Sequence, residues 1–218
     1  MSASPSARPR TAALVALLAL AGACLPPRAV PLQGAPLPAR ALPAGAMPVG
    51  HEKLGFTWEL RDGDLVARGE GVARIAAPDS VRLDFFLGGG MGSGAAVLIG
   101  DSLRTPGPEA ARDLVPPPPL LWATLGRLRI PPAADTLVRV DGALLRADIG
   151  APVRWRVAFR GDTLDRLERI DDGRIQEWVQ HQSPTSVQYR NERARRTLSL
   201  VIQRTDAAPA FDPSIWSF

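Results

Sequence analysis

The sequence contains very few residues suited to thiol, metal or amine chemistry. Among 218 residues there are one cysteine and two histidines, and Lys53 is the only lysine. A single cysteine excludes an internal disulfide framework and a cysteine-based zinc site. The two histidines, His51 and His181, leave little material for any other metal centre. We therefore expect neither a metal nor a cofactor.

The chain also lacks a strong excess of charge of either sign. Lysine and arginine together number 26 against 22 acidic residues, which gives a net charge of +4. Arg8 and Arg10 lie in an N-terminal leader, and removal of that leader would lower the net charge to +2. So small a charge, spread evenly along the chain, does not predict a nucleic-acid-binding surface.

The first 23 residues have the pattern of an export signal. Two arginines precede an uncharged run from Thr11 to Ala23 that ends in small residues, which is typical of a secretory signal peptide. This run is shorter than the roughly 20 apolar residues that a membrane-spanning helix needs.

The only cysteine, Cys24, follows directly after Leu20-Ala21-Gly22-Ala23. This arrangement resembles the lipobox of bacterial lipoproteins, and the resemblance implies that Cys24 is acylated and becomes the mature N-terminus. Leu25 follows the cysteine where an aspartate would favour retention, so the resemblance implies the outer membrane, facing the periplasm, rather than the inner membrane. An ordinary signal peptide with a cysteine near its cleavage site remains the alternative.

Residues 24–50 are predicted to form a tether between this anchor and a folded body. Seven prolines fall between Leu25 and Gly50. Proline at this density disfavours helix and strand and favours extended chain. At roughly 3 Å per residue, such a segment would hold the body tens of ångströms from the membrane.

Residues 51–218 have the pattern of one β domain. Asp-Gly pairs at residues 62–63, 141–142 and 172–173 separate short strand-like runs, which is the pattern of consecutive antiparallel hairpins. Between Arg154 and Arg160, Trp155, Val157 and Phe159 alternate with arginine or alanine. This alternation predicts a strand with one buried face and one solvated face.

Only residues 119–128 after Gly50 are predicted to be clearly helical. Leu121, Trp122, Leu125 and Leu128 fall near one face, and prolines stand at the start. We expect a mainly β fold: a curved antiparallel sheet, or open and incomplete β-barrel, with one or two short helices covering its concave face.

No catalytic constellation emerges from the sequence. The glycine-rich run Gly88–Gly94 lacks the Gly-Lys-Ser/Thr ending of a phosphate-binding loop. Ser93 does not stand in a Gly-x-Ser-x-Gly context. Because no nucleophile, base and orienting group occur together, we expect a protein that is not an enzyme.

The segment from Gly69 to Asp84 resembles a known superfamily. A strand ending in Pro78-Asp79, followed by a strand containing Arg82-x-Asp84, resembles the lipoprotein carriers and receptors typified by LolA and LolB. The resemblance implies an open β-barrel, closed by helices, that binds acyl chains in its hollow. A lipid-anchored member is similar to the LolB type, which receives lipoproteins at the outer membrane from a periplasmic carrier protein.

These observations predict a membrane-tethered, non-enzymatic protein that binds a lipid or lipoprotein acyl chain. Sites for apolar ligands are concave and lined by aromatic and aliphatic side chains. The predicted cavity lining consists of Phe85, Trp122, Leu125, Trp155, Val157 and Phe159. The alternative is a docking lipoprotein of an envelope assembly, with the same sheet, a filled core and no ligand.

Overall fold

A computed structural model describes residues 25–38, 42–43, 50–90, 92–107, 115–130 and 133–218. Cys24 and the predicted signal peptide lie outside the described residues, as does most of the second half of the predicted tether. No helix within the described ranges is long and apolar enough to cross a membrane.

Thirteen antiparallel strands form one sheet in the order β1-β7-β8-β9-β10-β11-β12-β13-β2-β3-β4-β5-β6. The strands are β1 (Ala35–Leu37), β2 (His51–Asp62), β3 (Leu65–Ala76), β4 (Ser80–Leu87), β5 (Ser93–Ile99), β6 (Ser102–Arg104), β7 (Leu137–Asp141), β8 (Leu144–Ile149), β9 (Trp155–Arg160), β10 (Thr163–Asp171), β11 (Arg174–Ser183), β12 (Ser186–Asn191) and β13 (Arg196–Ala208).

Tight hairpins connect most neighbouring strands of this sheet. Gly63 and Gly142, each with a φ of 58°, are the first residues of two-residue loops, the position where a type II′ turn places glycine. Asp172 and Gly173 have φ values of 48° and 66°, and a type I′ turn requires positive φ at both of these positions. The three hairpins predicted from Asp-Gly pairs are therefore confirmed. Two pairings depart from nearest-neighbour order: β1 pairs with β7, and β13 pairs with β2, which brings the end of the domain beside its beginning.

The sheet remains open, because its two edges do not pair with each other. Each edge strand, β1 and β6, is only three residues long, and short edges limit unwanted pairing with other chains. The predicted fold class, a mainly β open sheet with a short covering helix, is confirmed.

The one α-helix among the described residues, α1 (Pro118–Thr124), lies against the apolar inner face of the sheet. Leu120 and Ala123 pack into a cluster formed largely by β7–β13. Leu121 and Trp122 pack into a second cluster formed largely by β2–β6. One helix touches both clusters because the sheet curves around it.

This helix is shorter than the ten residues predicted. It ends at Thr124, and the backbone N–H of residue 126 donates to the carbonyl of Ala123 at 3.0 Å. Gly126 has a φ of 75°, and a glycine in this conformation commonly ends a helix. Leu125 and Leu128 therefore belong to the chain that follows the helix, not to its apolar face.

The expectation that the proline-rich segment contains no strand is wrong at Ala35–Leu37. These residues pair with Val138–Val140 of β7, although Pro36 stands in the middle. An edge strand tolerates proline because the N–H that proline lacks can face away from the sheet. We call residues 25–37, which lie against the body, the N-terminal strap.

Candidate functional site

A cavity of about 300 Å³ lies between α1 and the inner face of β12, β13 and β2–β5. Its walls come from alternate residues of the strands and from the chain on either side of α1. The strand residues that line it include Leu54, Phe56, Trp58 and Leu60 of β2 and Leu83, Phe85 and Leu87 of β4. The covering side is formed by Val115, Pro116, Leu121, Thr124 and Leu125.

The lining is almost entirely apolar. Among the residues that the structure describes, the lining contains no charged residue, and its only side chains with hydroxyl groups are those of Ser93, Thr105 and Thr124. The Thr124 hydroxyl donates to the carbonyl of Leu121 at 2.7 Å, and the Trp58 indole N–H donates to the carbonyl of Glu70 at 2.9 Å. With these polar groups already satisfied, the cavity offers burial of apolar surface and few directed polar contacts.

Three aromatic rings form one wall of the cavity. The Phe85 ring meets the Phe56 ring edge-to-face at 5.7 Å and the Trp58 ring at 5.9 Å between centroids. Edge-to-face pairs of this kind hold ring orientations and contribute about 0.5–1.5 kcal/mol each beyond area burial. The wall is therefore preformed.

Small residues on β3 provide the space for these rings. A Cβ atom added at Gly71 would overlap the Phe56 ring, and one added at Gly69 would overlap the backbone of Phe86 and press on the Trp58 ring. Ala67 and Ala73 occupy the neighbouring positions of the same face. Sequence analysis missed this feature, for which the alternation of alanine and glycine at residues 67, 69, 71 and 73 was the available signal.

Two hydrogen bonds fix the helix over the cavity. The Trp122 indole N–H donates to the carbonyl of Gly100, in the β5–β6 turn, at 2.8 Å. On the other side of the helix, His181 of β11 lies 2.8 Å from the carbonyl of Ala123 through Nε2. Since a carbonyl only accepts, Nε2 carries the proton. Burial lowers the pKa of His181, while the bond to Ala123 and the charge of Asp165 oppose that shift.

The cavity opens toward one end of the sheet. Its solvent-exposed lining residues are Leu65, Ser93, Gly94 and Pro106, and Leu65 follows the β2–β3 turn directly. Because neighbouring strands are antiparallel, the β8–β9, β10–β11 and β12–β13 turns lie at this same end. We call it the mouth end.

The structure divides the predicted cavity residues into two groups. Phe85 and Leu125 line the cavity, and their contact with a ligand stays a prediction. Trp122, Val157 and Phe159 are fully buried with 0% exposure in filled core, and Trp155 packs half-buried against the β7–β13 cluster. These four do not line this cavity.

The physical reason for this division is that alternation identifies a face of a strand but not the position of a void. Val157 and Phe159 do face inward, as predicted, and they meet Leu145, Leu164 and Leu167 in the same cluster. Large side chains on neighbouring strands fill the space there. The void lies where β3 presents glycine and alanine instead.

The residues that carry the sequence resemblance lie outside the cavity. Asp84 accepts from Arg74 and, at 2.9 Å, from Arg82. Arg82 also donates to the carbonyl of Ile215 at 2.8 Å and lies over the Phe218 ring at 5.2 Å. This ion-paired group attaches the C-terminal residues to β4, so its contribution is structural.

Comparison with solved structures supports the fold. A LolA superfamily protein from Nitrosomonas europaea matches over 79% of this chain and 92% of its own, with 11% identity and a TM-score of 0.51. A putative outer membrane lipoprotein-sorting protein domain from Vibrio parahaemolyticus matches over 77% and 89%, with 7% identity and a TM-score of 0.43. A DUF1329 family protein from Desulfovibrio piger matches over 78% and 90%, with 11% identity and a TM-score of 0.40.

The first of these likenesses shows that the chain has the open-sheet fold of a LolA superfamily protein. The resemblance stated from sequence is therefore confirmed at the level of fold. No protein-family model matches the chain, and no curated protein matches it in sequence.

Proposed function

We propose that this protein is a membrane-tethered, non-enzymatic binding protein that holds an acyl chain of a lipid or lipoprotein in the cavity under α1. The observation that carries the proposal is a preformed cavity that opens at one end of the sheet and has no charged residue in the described part of its lining. The LolA-like fold agrees with such a role.

The driving force for binding is removal of apolar surface from water. A cavity of about 300 Å³ stands at the lower end of the ~300–1,000 Å³ usual for ligand sites, so it accommodates part of one chain. Burial of each methylene contributes about 0.8 kcal/mol, and ordering of the ligand opposes this gain. A longer chain enters when α1 moves outward, because the helix forms the side of the cavity opposite the sheet.

The argument for a membrane tether comes from the sequence that precedes the strap. Acylation of Cys24 places the protein in the cell envelope, at the outer membrane and facing the periplasm. A protein in that position receives its ligand from a periplasmic carrier protein or from the membrane itself. Its activity is binding and transfer, and it requires no cofactor.

A cavity-filling substitution tests the proposal on the exported chain with Cys24→Ser, using displacement of a fluorescent fatty acid. We expect Ala67→Phe to weaken fatty-acid binding at least tenfold, because residue 67 lines the cavity. Val66→Phe is the matched control: Val66 is 47% exposed and does not line the cavity, so binding should be unchanged.

Two results would contradict acyl-chain binding. One is the absence of saturable fatty-acid binding to the protein that retains Ala67. The other is equal binding by both phenylalanine variants. Either outcome favours the alternative of a docking lipoprotein, which has the same sheet and needs no ligand.

A further inference from the structure

The N-terminal strap is held to the sheet by hydrogen bonds of its backbone groups, which begin at its first residues. Arg174 of β11 donates to the carbonyl of Pro26 at 2.8 Å. The N–H of Ala29 donates to the carbonyl of Gly173 at 2.9 Å. Gly173 and Arg174 belong to the β10–β11 turn at the mouth end, so the strap starts at that end of the sheet.

From there the strap crosses the outer face of the sheet toward the opposite end. Arg156 of β9 donates to the carbonyl of Val30 at 2.7 Å, and Arg139 of β7 donates to the carbonyl of Gly34 at 2.9 Å. Arg156 is itself held by two hydrogen bonds to Asp148, of 2.7 and 3.0 Å. The strap then turns back as β1 beside β7. Together with the hydrogen bonds at Pro26 and Ala29, these contacts hold the strap along its whole length.

This attachment shortens the distance between a lipid on Cys24 and the body. Only two peptide units separate residue 24 from Pro26, and each spans at most about 3.6 Å, so they span about 7 Å together. A free tether over residues 24–50 would instead allow separations of tens of ångströms. With the strap in place, the lipid attachment lies next to the β10–β11 turn.

Exposed apolar side chains are concentrated at the same end. The described residues include eight large hydrophobic side chains that are clearly exposed, and five of them lie toward the mouth end. These are Leu25 at 58%, Leu65 at 56%, Val66 at 47%, Phe86 at 48% and Leu137 at 63% exposure. Apolar side chains on the surface of a peripheral protein gain free energy when they enter the boundary between headgroups and acyl chains.

We propose that the strap orients the body so that the mouth end contacts the phospholipid bilayer in which the Cys24 lipid is anchored. The proposal rests on the proposed function, since it assigns a position to the acyl-binding cavity. Three features coincide at this end: the start of the strap, the cavity opening and the exposed apolar side chains. An acyl chain can then pass between bilayer and cavity without crossing water.

The orientation is measurable on the full acylated chain in vesicles of phosphatidylethanolamine and phosphatidylglycerol. Acylation blocks Cys24, so one introduced cysteine carries a fluorescent label alone. Val66→Cys and Arg193→Cys label the mouth end, and Asp162→Cys and Thr185→Cys label exposed turns at the opposite end. Quenching by nitroxide phospholipids should be several-fold stronger at the two mouth-end positions.

A second variant tests whether the strap causes the orientation. A long Gly/Ser insert between Leu25 and Pro26 keeps the lipid and every strap contact but restores a free tether. We expect the difference in quenching between the two ends to fall toward zero. Equal quenching at both ends before insertion, stronger quenching at the opposite end, or a difference that the insert leaves unchanged would each overturn the proposal.

These outcomes are separable from those of the fatty-acid assay. If fatty acid is displaced but quenching is equal at both ends, the proposed function is supported and the proposed orientation is contradicted. If quenching is strong at the mouth end but fatty acid does not bind, the proposed orientation is supported and the proposed carrier function is contradicted. A chain that carries no lipid at Cys24 overturns the orientation directly.

Discussion

Phe85 and Phe159 both project from the inner face of the sheet, yet their surroundings differ. Phe159 is 0% exposed and packs in the β7–β13 cluster among Leu145, Leu164 and Leu167. Phe85 is half-buried, and one side of its ring faces the cavity. Truncation of each ring to alanine therefore distinguishes a filled core from a ligand pocket.

The expected stability costs follow from these surroundings. Phe159→Ala creates a new void in filled core, which typically costs about 3–5 kcal/mol. Phe85→Ala enlarges a void that already exists, and it removes two edge-to-face contacts of about 0.5–1.5 kcal/mol each. The two contacts account for about 1–3 kcal/mol, and the lost burial of the half-buried ring adds to this cost. Because no new void forms in filled core, we expect Phe85→Ala to cost less than Phe159→Ala.

The effects on binding should have the opposite order. Phe85 contributes cavity wall, so Phe85→Ala should weaken fatty-acid binding severalfold. Phe159 does not line the cavity, so Phe159→Ala should leave the affinity of the folded fraction close to that of the unsubstituted protein. Urea unfolding with a shared m value gives the stability differences, and fluorescent fatty-acid displacement gives the affinities.

Two results would refute this reasoning. A Phe85→Ala variant as destabilised as Phe159→Ala would show that the space beside Phe85 is filled in solution. A folded Phe159→Ala variant that has lost fatty-acid binding would show that the ligand reaches β9. In that second case the predicted cavity residues on β9, Trp155, Val157 and Phe159, would belong to the binding site.

Two further predictions concern the anchor and the helix. Cys24→Ser should abolish incorporation of radioactive palmitate and release the protein from membranes, and a variant that is still labelled would exclude Cys24 as the acylation site. Burial lowers the pKa of His181 in the folded state, so the unfolded chain binds more protons below about pH 6.5 and stability should fall as pH decreases from that value. His181→Gln should reduce that slope in urea unfolding measured across pH, and an unchanged slope would show that another group causes it.

Local signals in the sequence were sufficient for the hairpins and the class of fold. The three hairpins turn at Gly63, at Gly142 and at Asp172-Gly173, because the positive φ that these loops need is accessible to glycine and tolerated by aspartate. Alternation from Trp155 to Phe159 correctly predicts the inward face. The other face is not solvated as predicted, because Ala158 is buried there and Arg156 bonds to the strap. The predicted helix is longer than α1, because the apolar spacing in the sequence continues past Gly126, where the backbone turns out of the helix.

Tertiary structure decided where the cavity lies and what the proline-rich segment does. Whether an inward-facing ring meets another side chain or empty space depends on the residues of neighbouring strands, as the contrast between Phe85 and Phe159 shows. The strap, in turn, is held by partners more than 100 residues away, such as Arg139 at Gly34 and Arg156 at Val30. Proline content limits local conformation, but a segment is ordered when distant groups satisfy its backbone, and this pairing exists only in the folded chain.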